Sequence, residues 1–550
     1  MKSATDSDSY FQQDIRLFNF HVRINKLRWQ RVRIVFTMAG KPQSVENPDM
    51  SYSDTPEQAD VIAWQGKRLV VGAFAGTGKT TTLRRFAEQN PDERMLYIAY
   101  NRAIRDEAEQ KFPYHVTCKT SHQLAYAATG RFFASRLVSN LKVTDVARAL
   151  NSKNWRMAGA VLYTLNHFIC SADEQITAIH APDEEELPDT ERAQAVTASQ
   201  RLWLMMTARQ GDFPVTHDTY LKLYQLSRPD LSSRYSTLLF DEAQDANPVT
   251  SAIVLSQRCR VVLVGDRHQQ IYRFRGADNA MDTPQLEHAD RLWLTNSFRF
   301  GPEVANVANR LLALKGETHK VIGKGPQDRV VDMLPRTCGH RAVLHRTVCG
   351  VISTALNYSL AGKKVYWVGG MESYRVEELL DLYWLSVDLP ERMEKNTLTQ
   401  DYRDYAEYCQ VAEETGDPEM KQAMYILDQF FPLPERLKTL RLQRVENERG
   451  ADVTVCTAHR SKGLEWDVVA LYDDFADILD PDMPVDRRDD ELNLLYVAAT
   501  RARRLLVPDP VIREILAQPP AEDILVRPTG GDINGTGDDT DESGEDRDVA

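Results

Sequence analysis

The chain has 550 residues, which is too long for one hydrophobic core and predicts several domains, and its 42% hydrophobic and 27% charged residues are typical of globular proteins. It contains no apolar run of about eighteen residues, so no membrane span is expected, and its net charge of −13 argues against a protein that coats polyanions over its whole surface. The seven cysteines include no CxxC pair, which excludes the commonest zinc and iron–sulfur spacings and favours reduced thiols in a cytoplasmic compartment.

Residues 1–50 are predicted to form a basic N-terminal extension that is partly disordered. They begin without the apolar segment behind basic residues that a signal peptide requires. Residues 16–41 are basic, contain interleaved aromatic residues and alternate loosely, as a strand or hairpin does. Three interpretations stay open: an accessory DNA-binding arm, an added surface element, and sequence upstream of a start at Met38 or Met50.

The segment 69–89 has the order strand, glycine-rich loop and helix that a phosphate-binding loop requires. Leu69 to Val71 predict a buried parallel strand, and Leu83 and Phe86 lie on one face of the helix that follows. The loop between them is expected to bind ATP through Ala73, Phe74, Ala75, Gly76, Thr77, Gly78, Lys79, Thr80 and Thr81.

The residue types in this loop suit a bound phosphate. Gly76 and Gly78 allow backbone N–H groups to turn inward around the β-phosphate, and the helix N-terminus adds positive potential. Lys79 is expected to bind the β- and γ-phosphate oxygens, and the Thr80 hydroxyl is expected to ligate Mg²⁺. Ala73 stands where the strict pattern has its first glycine, a position that only closes the turn.

The second half of the nucleotide site is predicted at residues 238–242. Leu238 to Phe240 form an apolar strand that ends in Asp241 and Glu242. An acid at the carboxyl end of a parallel strand lies in the crevice where a nucleotide binds. Asp241 is therefore expected to hold Mg²⁺, directly or through water, and Glu242 to orient and deprotonate the attacking water. These two motifs alone define only a nucleoside triphosphatase.

Four longer segments narrow the class: VVLVGDRHQQIYRFRGA (261–277), TNSFRF (295–300), VCTAHRSKGLEWD (455–467) and ELNLLYVAATRARRLL (491–506). Together and in this order they resemble motifs III, IV, V and VI of the UvrD/Rep/PcrA group of superfamily 1 DNA helicases. The resemblance covers residues 55–507 apart from two inserts. The segments YIAYNRAI, CKTSHQLAY and YLKLYQLSRP look closest to the F-box DNA helicase branch, although no F-box is recognised.

The resemblance implies an α/β fold of two RecA-like P-loop NTPase domains, which are parallel sheets flanked by helices, with mostly helical inserts and ATP in the cleft between the domains. It also implies that Gln269 senses the γ-phosphate and that Arg299 and Arg501 cross the cleft. A guanidinium group is always charged and forks onto phosphate oxygens, so these arginines stabilise the transition state only when the domains close. The catalytic residues implied are Lys79, Asp241, Glu242, Gln269, Arg299 and Arg501.

The resemblance extends to the base, sugar and metal contacts of the nucleotide. Gln58 corresponds to the glutamine that reads the adenine edge, and Phe298 to the aromatic residue that stacks on adenine. Glu465 corresponds to the acid that hydrogen-bonds the ribose. ATP and Mg²⁺ are the expected cofactors, with Thr80 and Asp241 as the metal residues.

The resemblance also implies contacts with DNA, at Asn101, Thr120, His122, Tyr272, Phe274, Arg275 and His459. Tyr272 and Phe274 lie two residues apart, hence on one face of an extended chain, and match family aromatics that stack on bases. Packing in the core is the alternative for both rings. In the motif around Asn101 the aromatic residue is shifted by one position from the family pattern, so Tyr100 is not assigned as a base platform.

The predicted domains are discontinuous along the chain, because each RecA-like domain is interrupted by a helical insert. The first insert is called 1B, and the second is a reduced insert that resembles the family's 2B domain. The predicted boundaries are 51–125 and 215–295 for domain 1A, 126–214 for insert 1B, 296–372 and 446–510 for domain 2A, 373–445 for the 2B-like insert, and 511–550 for a C-terminal tail.

The predicted tail, residues 511–550, ends in an acidic, glycine-rich segment without aromatic residues. Such a segment buries too little apolar surface to offset its ordering entropy, so the tail is expected to be disordered. A solubilising segment, a segment that binds a protein partner and a DNA mimic are all compatible with this composition.

The residues and the resemblance together predict an ATP-dependent 3′-to-5′ single-stranded DNA translocase and DNA helicase that acts in replication, repair or recombination. The direction rests on the Gln-Ile-Tyr-x-Phe-Arg-Gly-Ala pattern of residues 270–277, which is the 3′-to-5′ type. The alternative is an ATPase that strips or remodels protein on nucleic acid with little unwinding, since it shares every motif. A non-catalytic scaffold predicts damaged catalytic positions, and none is damaged.

The expected partners follow from this function. They are single-stranded DNA and 3′-tailed duplex DNA, and a protein partner through the acidic tail is possible. RNA stays open as a substrate, because stacking on a base does not read the 2′-hydroxyl group. The expected location is the cytoplasm, on the nucleoid or in a host cell if the chain is encoded by a phage, and no membrane contact is expected.

Overall fold

A computed structural model describes residues 53–519 except 184–186, 274, 275, 277, 278, 336, 337 and 396, and it leaves out the side chain of Glu377. The compact unit described below begins at Asp54. The predicted N-terminal extension, the predicted tail beyond residue 519, and the predicted DNA contacts Phe274 and Arg275 lie outside the described residues. Within those residues, no helix is long and apolar enough to cross a membrane.

Short parallel strands alternate with helices along the chain, and several of these strands are largely or completely buried. In chain order the strands are β1 (Arg68–Ala73), β2 (Met95–Ala99), β3 (Val116–Thr120), β4 (Leu137–Val138), β5 (Val215–Thr216), β6 (Thr237–Asp241), β7 (Arg260–Gly265), β8 (Asp290–Leu294), β9 (Asn296–Ser297), β10 (Ile322–Gly323), β11 (Arg329–Val330), β12 (Arg341–His345), β13 (Val365–Trp367), β14 (Arg444–Val445), β15 (Val453–Thr457), β16 (Trp466–Leu471) and β17 (Ala502–Val507).

Two larger sheets organise these strands. The first has the order β3-β2-β6-β7-β1-β8, and the second has the order β11-β17-β16-β12-β15-β13-β14. All residues of β2, β6 and β15 are buried, as expected for parallel strands that are covered by helices on both faces. In the first sheet Gly72 pairs with Gly265, and Asp241 pairs with Val264, so β1, β6 and β7 end at one common edge.

Helices cover both sheets and make up most of the chain between β3 and β6 and between β13 and β14. The α-helices are Pro56–Ala63, Lys79–Gln89, Arg102–Lys111, Ser121–Ala128, Val143–Leu150, Trp155–Cys170, Asp189–Thr207, His217–Leu226, Pro248–Leu255, Pro302–Ala313, Val348–Leu360, Val376–Ser386, Thr397–Asp401, Tyr405–Thr415, Pro418–Gln429, Leu433–Gln443, Val485–Ala499 and Pro510–Ala517. The predicted α/β class, with parallel sheets flanked by helices, is therefore confirmed. The domain boundaries stay predictions.

One buried apolar cluster connects the first sheet to the second. It contains Phe74 and Ala75, which follow β1, together with Leu344 of β12 and Tyr496 of the helix Val485–Ala499. The loop that follows β1 thus lies in the same core as the strands of the second sheet.

The helix Pro510–Ala517 corrects the predicted start of the disordered tail at residue 511. Ile512 and Ile515 are buried, and the Asp509 side chain accepts a hydrogen bond from the backbone N–H of Ile512. The prediction is wrong for this segment because its apolar residues recur at helical spacing and bury one face, whereas the acidic composition begins only further along the chain.

Candidate active site and nucleic-acid interface

The loop between β1 and the helix Lys79–Gln89 depends on two glycines. Gly76 has a φ of 76° and Gly78 a φ of 80°, in the left-handed region that residues with a side chain rarely adopt. A Cβ atom at Gly76 would also lie 2.6 Å from both Arg299 Cβ and Ser297 Oγ. The first N–H groups of the helix have no intrahelical acceptor, so the loop and the helix together form a site suited to an anion.

Lys79 and Glu242 form an ion pair at this site. Lys79 Nζ lies 2.9 Å from both carboxylate oxygens of Glu242. Burial disfavours the ammonium charge, but Glu242, Asp266 and Asp241 outweigh it and raise the pKa of Lys79. Burial also opposes the carboxylate charge, yet Lys79 and Lys462 lower the pKa of Glu242 to about 2. Both partners are therefore charged at neutral pH.

Thr80 and Asp241, the predicted metal residues, are in direct contact. Thr80 Oγ1 donates a hydrogen bond to Asp241 Oδ2 at 2.9 Å, and the Tyr97 hydroxyl donates to the same oxygen at 2.6 Å. Burial, followed by the charge of Glu242, raises the pKa of the Asp241 carboxyl. A hydroxyl and a carboxylate are oxygen ligands of the kind that Mg²⁺ combines with water and phosphate oxygens. Thr80 and Asp241 thus fit Mg²⁺, and the hydrogen bond from Tyr97 to Asp241 was not predicted from the sequence.

A buried polar cluster behind Glu242 was not predicted. Gln244 Nε2 donates to Glu242 Oε2 at 2.6 Å and to Asp245 Oδ2 at 3.0 Å. Lys462 Nζ pairs with Asp245 Oδ2 and donates to the carbonyl oxygen of Gln269 at 2.5 Å. All of these residues stand within or directly beside the recognised motifs, which was the available sequence signal.

Arg501 and Gln269 are in contact, although they belong to the last and the first of the four family segments, 491–506 and 261–277. Arg501 is 1% exposed, and its Nη2 donates to Gln269 Oε1 at 3.2 Å. The same guanidinium donates to the carbonyl oxygens of Val497 and Leu464, at 2.8 and 3.3 Å. Burial, followed by the charge of Arg299, lowers the pKa of Arg501 to about 9, which leaves the group charged at neutral pH.

The other predicted cleft arginine, Arg299, has its backbone and Cβ beside the phosphate loop, while its guanidinium contacts the second half of the chain. Its Nε donates to Glu465 Oε2 at 2.8 Å, and its Nη1 donates to the carbonyl oxygen of Thr500 at 3.1 Å. Glu465 also lies 3.7 Å from Arg503 Nε. The structure therefore places the predicted ribose contact, Glu465, in an ion pair with a predicted catalytic arginine.

Tyr496 joins the phosphate loop to the segment that carries Gln269. Its hydroxyl accepts a hydrogen bond from the Ala75 backbone N–H at 3.1 Å and donates to Asp266 Oδ2 at 3.0 Å. The same oxygen of Asp266 accepts from Gln269 Nε2 at 2.7 Å. Tyr496 was not predicted as a site residue, because a tyrosine among apolar residues in a helix is ordinarily explained by core packing.

The predicted adenine contacts, Gln58 and Phe298, both meet the phosphate loop. Gln58 Nε2 donates to the carbonyl oxygen of Thr77 at 3.4 Å and to Thr82 Oγ1 at 3.3 Å. The Phe298 backbone N–H donates to the carbonyl oxygen of Gly76 at 2.9 Å, and the Phe298 side chain is half-buried. Their contact with a base stays a prediction.

Tyr272 and Tyr100 are stacked on each other, with ring centroids 5.6 Å apart and planes inclined by 17°. The Tyr272 hydroxyl donates to the carbonyl oxygen of His459 at 3.1 Å, and Lys462 Nζ lies 5.5 Å from the centre of the Tyr272 ring. Tyr100 is 36% exposed. Two of the predicted DNA contacts, Tyr272 and His459, thus meet at one place, together with the unassigned Tyr100.

The remaining predicted DNA contacts have partners within the protein. Asn101 and Thr120 are helix N-caps, whose side chains accept backbone N–H groups of the first helical turn at 2.9 and 3.1 Å. His122 Nε2 lies 3.0 Å from Asp218 Oδ1. Capping explains the residue types of Asn101 and Thr120 without nucleic acid, and their role in DNA binding stays a prediction.

Comparison with known proteins identifies the family. Residues 106–283 match the UvrD/REP helicase N-terminal domain, and residues 337–508 match the UvrD-like helicase C-terminal domain. F-box DNA helicase 1 of Gallus gallus is 33% identical over 501 residues, which are 82% of this chain and 48% of that protein. F-box DNA helicase protein 1 of Schizosaccharomyces pombe is 31% identical over 525 residues, which are 87% of this chain and 59% of that protein.

The chain therefore belongs to the UvrD-like helicase family, and the resemblance drawn from its motifs is confirmed. Membership in this family identifies the two large sheets as the centres of two RecA-like P-loop domains. The chain spans about half the length of the two F-box helicases that it matches, at 48% and 59%.

Proposed function

We propose that the protein is an ATP-dependent DNA helicase that moves 3′ to 5′ on single-stranded DNA and hydrolyses ATP between its two RecA-like domains. The observation that carries the proposal is the contact of Tyr496 with Ala75 and Asp266 and of Arg501 with Gln269. These bonds join the second half of the chain to the first at the expected position of the phosphates. The names of the two relatives support DNA as the substrate.

The residues of the nucleotide site divide the chemistry of hydrolysis between them. Lys79 and the N-terminus of its helix bind the phosphates, and Mg²⁺ held by Thr80 and Asp241 would neutralise phosphate charge. When the Lys79 ammonium binds phosphate oxygens, it releases Glu242 to accept the proton of the attacking water. Arg501 offers a charged, planar donor set to the transferred phosphoryl group, and Gln269 orients that guanidinium.

A continuous set of polar contacts leads from the catalytic carboxylate to the proposed base-stacking ring. Gln244 joins Glu242 to Asp245, Asp245 pairs with Lys462, and the Lys462 ammonium lies over the Tyr272 ring. A base that stacks on Tyr272 displaces or reorients a ring in contact with this ammonium. We infer that DNA binding and ATP hydrolysis are coupled along this route.

The direction of movement and the cellular role rest on the family resemblance. The pattern of residues 270–277 supports 3′-to-5′ movement, and a substrate of single-stranded or 3′-tailed duplex DNA follows from it. Replication, repair or recombination is the proposed process. A protein partner that binds the acidic C-terminal segment is part of the same proposal.

The test is a pair of assays on the purified chain. ATP hydrolysis is measured with and without single-stranded DNA, and unwinding is measured on duplexes with a 3′ or a 5′ tail. The proposal expects stimulation of hydrolysis by DNA and unwinding of the 3′-tailed substrate only. Unwinding from a 5′ tail would overturn the direction, and stimulated hydrolysis without strand separation would favour the protein-stripping alternative.

A further inference from the structure

A basic surface stands out in this acidic chain, within the region predicted as insert 1B. Residues 110–144 contain no Asp or Glu, although the whole chain has a net charge of −13. Residues 192–211 contain no Asp or Glu either. The fold brings the two acid-free segments together at Phe132, whose ring centroid lies 5.0 Å from Arg131 Cζ and 4.7 Å from Arg209 Cζ.

Arg136 holds the two segments in this arrangement. Its guanidinium donates to the carbonyl oxygens of Met206 and Ala208, at the end of the helix Asp189–Thr207, and to that of Phe213 in the segment that follows, at distances from 2.5 to 3.4 Å. A cation at this end of a helix also interacts favourably with the helix dipole. The positions of Arg131 and Arg209 are therefore set by the fold.

Arg131 and Arg209 are both exposed. Among the residues that the structure describes, neither Arg131 nor Arg209 has a carboxylate within 4.0 Å. Asp212 is the carboxylate nearest to Arg209 in the sequence, and it is exposed. The Phe132 ring attracts each cation, and this attraction offsets part of the repulsion between two positive charges that both lie within 5.0 Å of the ring centroid. This pair suits the phosphates of a nucleic acid, onto which guanidinium groups fork.

Exposed apolar side chains occur in the same two acid-free segments. Phe132 is 44% exposed, and on the neighbouring helix Leu204 is 68% and Met205 is 43% exposed. A single strand presents unstacked bases to such side chains, whereas a duplex keeps its base faces covered. The mixture of arginines and exposed apolar groups therefore favours a single strand over a duplex.

The surface also lies close to the proposed DNA contacts. The helix Ser121–Ala128 carries His122 in its first turn and leads directly into the segment that holds Arg131 and Phe132. Its eight residues correspond to a length of about 12 Å. A strand bound at His122 can reach Arg131 within a few nucleotides.

We propose that Arg131, Phe132 and Arg209 form an additional binding site for single-stranded DNA, beyond His122 and outside the ATP cleft. This inference rests on the proposed DNA-dependent function. The arginines bind phosphates of the strand, and the apolar side chains contact its bases. The site increases the number of nucleotides that the protein binds, and it adds salt-dependent affinity without sequence preference.

The test compares the double variant Arg131→Ala/Arg209→Ala with the wild-type chain in equilibrium binding to labelled oligothymidylates at several salt concentrations. Each lost phosphate contact reduces the slope of log affinity against log salt by about 0.7 for single strands, so the double variant is expected to reduce it by about 1.4. The double variant is expected to lose affinity for a long oligonucleotide but not for a short one that fills only the contacts around Tyr272. Phe132→Leu is expected to weaken binding of the long oligonucleotide with little change in slope.

The matched control is Arg94→Ala/Arg258→Ala, which also removes two exposed arginines. They precede β2 and β7, at the edge of the first sheet where these strands begin. Equal slopes of log affinity against log salt for the two double variants would overturn the proposal. So would a loss of affinity that is confined to blunt duplex DNA. A loss of affinity that accompanies a lowered melting temperature would also overturn it. If the wild-type chain binds no single-stranded DNA at all, the proposed function itself fails. If it binds and Tyr272→Ala weakens binding while Arg131→Ala/Arg209→Ala does not, only this additional site fails.

Discussion

Lys462 Nζ is paired with Asp245, a carboxylate three residues beyond the predicted catalytic base, and the exposed fractions of the two side chains are 10% and 0%. Burial raises the pKa of Asp245 to about 6 against the opposing charge of Lys462. The pair links the segment that holds Glu242 with the segment before β16. Through Gln244 on one side and the Lys462 ammonium on the other, the pair connects Glu242 with the Tyr272 ring.

Lys462→Met is expected to reduce the stimulation of ATP hydrolysis by single-stranded DNA. Removing one partner of a buried ion pair also costs about 3–5 kcal/mol of folding free energy, so the melting temperature is expected to fall. The double variant Lys462→Met/Asp245→Asn removes both charges and is expected to recover much of the stability without recovering the stimulation. If stimulation returns together with stability, the pair is structural only.

Lys79→Ala is expected to abolish ATP hydrolysis, because it removes the ammonium group that is proposed to bind the β- and γ-phosphate oxygens. The ion pair with Glu242 also predicts a change in stability, which the loop sequence alone does not predict. Since Lys79 is only 11% exposed, its removal leaves a buried carboxylate without its nearest cation and lowers the melting temperature. Lys67→Ala, at an exposed position just before β1, is the control and is expected to hydrolyse ATP normally. Substantial turnover by Lys79→Ala would contradict the assignment of the nucleotide site.

Arg299→Ala and Arg501→Ala are each expected to bind ATP and hydrolyse it very slowly, since an arginine finger contributes about 10³–10⁵ in rate in related phosphoryl transfer. Nucleotide binding and single-turnover hydrolysis are the measurements. Arg501→Lys keeps the charge but loses the fork that reaches Gln269, so it is expected to resemble the Ala variant. Arg346 is the comparison residue, because its guanidinium is already engaged with both carboxylate oxygens of Glu491 at 2.8 to 3.0 Å.

Tyr272→Ala is expected to weaken single-strand binding by roughly 5- to 150-fold, which corresponds to about 1–3 kcal/mol for one stacked base. Hydrolysis stimulated by DNA is expected to fall much more than hydrolysis without DNA. Tyr272→Phe keeps the ring and loses the hydrogen bond to His459, so it is expected to retain most of the affinity. Equal loss of stimulated and unstimulated hydrolysis, together with a melting temperature several degrees lower, would show that the ring is a core residue.

Glu242→Gln is expected to remove part of the acid sensitivity of the fold and to abolish hydrolysis. The pKa of Glu242 is lowered from 4.5 to about 2, so the folded state holds its proton less tightly than the unfolded chain. The stability gained from this difference is present above pH 4.5 and is lost as the pH falls toward 2. Melting curves across this range are expected to show a larger loss for the wild-type chain than for Glu242→Gln, and parallel losses would contradict the ion pair with Lys79.

The sequence by itself determined the nucleotide-binding elements, because their chemistry is local. A buried strand, a loop with Gly76 and Gly78, and a helix that begins at Lys79 are contiguous in the chain, and each part is recognised from its neighbours. The same holds for Asp241 and Glu242 at the end of a buried strand. Order and spacing of the later motifs were sufficient to indicate the family and the α/β fold.

Only the tertiary structure decided which side chains touch across the chain. Tyr496 and Ala75 are separated by 421 positions, and Lys462 and Asp245 by 217, so their hydrogen bonds depend on how the two sheets pack rather than on any local pattern. The stacking of Tyr100 on Tyr272 and the meeting of Arg131 and Arg209 at Phe132 have the same origin. Short-range order follows from propensity and periodicity, whereas these contacts exist because folding brings distant segments into one core and onto one surface.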